Sequence, residues 1–102
     1  MNAHSFTDCV LRELRKLNPN TDFLTVRARG KSAVIGYGND DEWISLFRII
    51  GGSAAFNVAN LQVRHKNSWA PTFIRGVPKD VALELAGNLS FIWKIHARSR
   101  MD

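Results

Sequence analysis

The spacing of hydrophobic residues changes twice along the chain. Over residues 5–17 it is helical, with Phe6, Val10, Leu14 and Leu17 on one stripe. Ser5 or Thr7 can cap this helix, and Asp8 suits its positive end. Arg12, Arg15 and Lys16 lie off the stripe toward the negative end. Asn18-Pro19-Asn20 stops it. The period then shortens to two. Strands are expected over residues 23–29, 32–38, 42–50 and 54–66, joined at Gly30-Lys31, Asp40-Asp41 and Gly51-Gly52. Residues 67–77 hold Trp69, Pro71, Phe73 and Ile74. They read as an irregular connection, or as a loop plus a short edge strand over 72–75. Pro78 suits the first turn of a second helix. Its stripe is Val81, Leu85, Leu89, Ile92, Trp93 and His96, widened by Leu83, Phe91 and Ile95.

The expected fold is α+β: an antiparallel meander of four or five strands, with an N-terminal helix and a long C-terminal helix packed on the sheet. At 102 residues the chain is one domain, with residues 1–4 and 98–102 expected to fray.

Two-residue turns fix which residues lie opposite each other. A Gly30-Lys31 tip sets Val26 opposite Ile35 and Ala28 opposite Ala33. An Asp40-Asp41 tip sets Tyr37 opposite Ile44 and Ile35 opposite Leu46. A Gly51-Gly52 tip sets Leu46 opposite Asn57 and Ile44 opposite Ala59. One face then carries Leu24, Val26, Ala28, Ile35, Tyr37, Ile44, Leu46, Ile50, Leu61 and Val63, with Arg48 and Asn57 as polar exceptions at its margin. The other carries Thr25, Arg27, Arg29, Trp43, Phe47, Phe56, Val58, Gln62, Arg64 and Lys66.

Charge sharpens that partition. Fourteen Lys and Arg oppose nine Asp and Glu, a net charge of +5. Residues 43–79 contain no acid but hold Arg48, Arg64, Lys66, Arg75 and Lys79. This balance favours polyanionic partners, nucleic acid or anionic lipid. On the second face, Arg27, Arg29, Arg64 and Lys66 are expected to pair with phosphates while Trp43, Phe47 and Phe56 stack on bases. The same face has two other readings: a homodimer or protein-partner interface, or plain core under a second layer. A third class of function is a small-ligand pocket formed by Trp69, Phe73 and Trp93, between the 67–77 segment and the C-terminal helix.

Other chemistry finds little support. His4, His65 and His96 are scattered, so no metal site is expected. Cys9 is the only cysteine, which excludes an internal disulfide and reads as a small residue on the apolar side of the first helix. Asp40-Asp41-Glu42 lacks the ligand pattern of a cation loop. Gly30-Lys31-Ser32 sits between strands, without the upstream glycine of a phosphate loop. No catalytic set and no cofactor is expected, so the chain reads as a binding module and not an enzyme. It carries no signal-peptide pattern and no apolar run long enough for a bilayer, which favours a cytoplasmic location.

Overall fold

Asn2, not Ser5 or Thr7, caps the first helix. Its side-chain oxygen accepts the Ser5 N–H at 2.8 Å, so α1 runs Ala3–Leu17. A computed structural model describes residues 2–51 and 59–101 of the chain, with side chains as far as Ala97. Ala3 and His4 are thus helical, against the expectation of a frayed start. The buried face of α1 is Ala3, Phe6, Thr7, Val10, Leu11 and Leu14, while Leu17 is half exposed. Thr7 tolerates full burial because its hydroxyl donates to the Ala3 carbonyl at 2.7 Å. A short 3-10 turn, Pro19–Thr21, follows. Arg15 reaches across it, donating from Nη2 to the Leu24 carbonyl at 2.8 Å, with Nε 3.6 Å from the Asp22 carboxylate. One guanidinium thereby ties α1 to the segment entering the sheet.

The sheet is a five-stranded antiparallel meander in chain order: β1 Thr25–Arg29, β2 Ser32–Tyr37, β3 Ile44–Gly51, β4 Ala59–His65 and β5 Ser68–Gly76. The segment 67–77 thus supplies a full edge strand. The first hairpin has the expected register, with Val26 opposite Ile35 and Ala28 opposite Ala33. Gly30 sits at φ +61, the backbone that a type II′ turn requires at its first position.

The second hairpin begins as expected, with Tyr37 opposite Ile44, and then slips. Ile35 pairs with Phe47, leaving Leu46 as an extra residue in a bulge. The cause lies in the sequence. Leu46 and Phe47 are adjacent, so strict alternation could bury only one of them; the bulge buries both, at 4% and 0% exposure. It also turns Arg48 away from the core.

The third reversal is not a Gly51-Gly52 tip. Gly51 pairs with Ala59, where Ile44 was expected, and residues 52–58 lie outside the described residues, Phe56, Asn57 and Val58 among them. This register differs from the expected one by an odd number of positions, as the bulge does. The two shifts cancel, so Leu61 and Val63 still face the core while Gln62 and Arg64 face away.

Pro78 opens the next helix, but the expected long helix is two: α2 Pro78–Ala86 and α3 Ser90–Met101. At the break, Leu89 N–H bonds to Glu84 and leaves the Leu85 carbonyl free. The buried indole of Trp93 supplies the missing donor, Nε1 to Leu85 O at 2.7 Å.

One apolar cluster unites Phe6, Val10 and Leu14 of α1 with Ile35, Phe47, Ile49 and Leu61 of the sheet, Val81, Ala82 and Leu85 of α2, and Trp93 of α3. All three helices therefore belong to one side of the sheet. Among the described elements, none packs on the other side. No helix is long and apolar enough to cross a membrane among the described residues.

Candidate nucleic-acid interface

The uncovered face is organised in rows across the strands. One row runs Arg27, Val34, Arg48, Gln62, Pro71 from β1 to β5. The next runs Arg29, Ser32, Ile50, Asn60, Arg75. Neighbouring strands lie about 4.8 Å apart, so Arg29 and Arg75 at opposite edges are separated by roughly 19 Å of sheet. Thr25, Gly36 and Ser45 lie opposite one another on β1 to β3, and on the outer strands Arg64 lies opposite Trp69.

Indole rings position three of the arginines. The Arg27 guanidinium lies 4.0 Å from the ring centroid of Trp43, whose Nε1 donates to Ser45 Oγ at 3.0 Å. The Arg48 and Arg64 guanidiniums lie 5.0 and 5.1 Å from Trp69. Arg48 also donates from Nε to Gln62 Oε1 at 2.8 Å, and Arg64 from Nε to the Lys66 carbonyl at 3.1 Å. A cation over an indole is attracted by the ring's quadrupole while its charge stays available. Gly36 makes room for this packing. A Cβ there would come within 2.9 Å of the Trp43 ring and would overlap the Ile44 carbonyl.

The cations differ in how far they are neutralised. Arg27 pairs with Asp40 at 2.9 Å. Among the described residues, none of Arg29, Arg48, Arg64, Lys66 and Arg75 has a carboxylate within ion-pair distance. The five cations of residues 43–79 account for the whole net charge, since the remaining nine Lys and Arg balance the nine acids.

The expected site residues are partly brought together. Arg27, Arg29, Trp43 and Arg64 occupy the uncovered face. Lys66 is exposed but belongs to the Lys66-Asn67 turn and not to a strand, at φ 55. Phe47 does not belong to the face: the bulge at Leu46 places it in the core, fully buried. Phe56 lies outside the described residues. The three residues of the expected ligand pocket do not converge. Trp69 is on the uncovered face, Phe73 projects from β5, and Trp93 is sealed in the core on its bond to Leu85.

Arg48 and Trp69 are members of the face that the expected hairpin register misplaced or left out. A signal was present for Arg48, because an arginine on a mostly apolar face argues that the register is off by one. Trp69 required knowing that 68–76 is a strand.

Phe73 stands apart. Three residues of β5, Thr72, Phe73 and Ile74, oppose the single Leu61. Thr72 closes this bulge by donating its hydroxyl to the Leu61 carbonyl at 2.7 Å and accepting the Ile74 N–H at 3.2 Å. Phe73, between them, adopts φ 64 and is 99% exposed. A left-handed backbone costs a non-glycine residue roughly 1–2 kcal/mol. Ile74, within the same bulge, packs against the core, but the Phe73 ring itself buries nothing. No protein-family model, curated protein or solved structure matches the chain.

Proposed function

We propose that the chain is a small non-enzymatic binding module that takes nucleic acid on the uncovered face of its sheet. The observation that carries this reading is the ring-supported arginine set. Arg48 and Arg64 flank Trp69, Arg27 covers Trp43, and the Arg48–Arg64 pair lacks carboxylate partners among the described residues. Guanidinium matches phosphate through paired, charge-assisted hydrogen bonds. A guanidinium already held over a ring loses less freedom on meeting its ligand. Gln62 and Asn60, each within one of the two cation rows, add neutral donors and acceptors.

The homodimer alternative drew on the same face, and Phe47, one of that face's expected aromatics, is in the core. The pocket alternative needs three side chains that stand in different places.

Fluorescence anisotropy of labelled single-stranded and duplex DNA, titrated with protein at several salt concentrations, tests the proposal. Affinity should fall steeply and log-linearly with salt, because each phosphate pairing releases counterions. Absence of binding to either form at the lowest salt would remove the proposal.

A further inference from the structure

We infer that Phe73 and the shallow cleft beside it form a stacking site for an unpaired base, so that the ligand class is a single strand or a looped-out nucleotide. The inference rests on the nucleic-acid reading above and adds a site to it. Its starting point is a backbone outlier. Phe73 holds φ 64 at the centre of a three-against-one bulge, and the Thr72 hydroxyl, bonded to both strands, fixes that shape. At Phe73 itself the outcome is unfavourable: left-handed backbone at a bulky residue and a phenyl ring in water. A feature that harms the fold and yet is fixed by its own hydrogen bonds points to an external ligand.

The surroundings identify the ligand. Phe73 borders a cleft of about 260 Å³ whose other walls include Ile50, Asn60, Gln62 and Pro71. These residues belong to the two rows that also carry Arg29, Arg75, Arg27 and Arg48. The cleft thus lies inside the cation field and offers apolar walls with two amides. The Gln62 carbonyl oxygen is taken by Arg48, which leaves its NH₂ to donate. An apolar ring face, an amide to meet a polar edge and cations on both sides suit a nucleobase with its flanking phosphates. Bases within a duplex have both faces covered by their neighbours, and wedging a step open costs a few kcal/mol, so an unpaired base is the favoured partner of a projecting phenyl. Trp43 and Trp69 are less suited to stacking, because their rings already carry guanidiniums.

Phe73→Gly gives a direct test, since glycine relieves φ 64 and removes only an exposed ring. The variant should fold with a thermal midpoint at or above that of the parent chain. Anisotropy is read with three labelled probes of equal length: oligothymidylate, an abasic strand and a duplex. The parent chain should bind oligothymidylate at least about tenfold more tightly than the abasic strand, the scale of one stacked base. Phe73→Gly should lower oligothymidylate binding to the abasic level and leave the other two probes unchanged. Thr72→Val, which keeps the ring but removes the hydroxyl that holds it, should lower oligothymidylate binding in the same direction. Unchanged oligothymidylate binding by Phe73→Gly would overturn the inference. If the parent chain binds all three probes equally, the stacking site falls and the nucleic-acid reading stands. If it binds none, both fall.

Discussion

His96 of α3 and Tyr37 of β2 join the C-terminal helix to the sheet through a polar contact. The Tyr37 hydroxyl and His96 Nδ1 are 2.6 Å apart, and the Tyr37 ring meets His96 on one edge contact and Phe23 on another. Burial lowers the His96 pKa below its ordinary value of 6.5. At neutral pH the imidazole is uncharged, and Nδ1 shares a hydrogen bond with the tyrosine hydroxyl. The sign of the pH dependence follows from proton counting. Between the lowered folded value and the ordinary unfolded one, the unfolded chain binds more protons, so stability rises with pH across that window. His96 therefore leaves stability intact above about pH 6.5 and reduces it as pH falls, until the folded state also protonates. Urea denaturation at a series of pH values between about 7 and 5 should show a declining midpoint in the parent chain. His96→Gln should be flatter, since glutamine can still hydrogen-bond Tyr37 but does not titrate there. Parallel slopes in the two chains would show that His96 does not carry the dependence.

At the scale of elements, legibility tracked how local each determinant was. The first hairpin was readable because Gly30-Lys31 fixes its own register at φ +61. The α1 stripe was readable for the same reason, although its cap, Asn2, lay outside the hydrophobic period. The failures were non-local. The bulge at Leu46 exists because two adjacent large residues both find room beneath the helices, which no two-residue turn rule contains. It exchanges the faces of Phe47 and Arg48, and so changes the candidate site by one residue lost and one gained. The division of the C-terminal helix is equally tertiary. Gly87 lowers helix propensity, but the break is stable because Trp93 folds back to bond the Leu85 carbonyl that the break releases. Trp93→Phe keeps most of the apolar volume and deletes that donor, leaving a buried carbonyl without its partner. We expect a loss of about 2 kcal/mol, seen as a lower urea midpoint with an unchanged m-value. A wild-type midpoint would mean that the Leu85 carbonyl is satisfied in another way and that the indole bond does not hold α2 to α3.

At the scale of the whole molecule, the helices take one side of the sheet, and the sheet's arginines without a carboxylate partner among the described residues, Arg29, Arg48, Arg64 and Arg75, take the other. Asp40 breaks this division, because it is the one carboxylate paired with a cation of the uncovered face among the described residues. Its removal and the removal of the unpaired arginines should therefore act in opposite directions. Asp40→Asn frees Arg27 without touching the core, since Asp40 is almost wholly exposed. If the face binds nucleic acid, this variant should bind single-stranded DNA a few-fold more tightly at low salt, with the gain vanishing as salt screens the original pair. Arg48→Ala with Arg64→Ala should weaken binding and flatten the plot of log affinity against log salt. Each phosphate contact on a single strand contributes about 0.7 to that slope, so losing two should reduce it by roughly 1.4. A slope that survives the double substitution would place the phosphates elsewhere on the molecule. An Asp40→Asn variant that binds more weakly would argue that the acid orients Arg27 toward the ligand and does not compete with it.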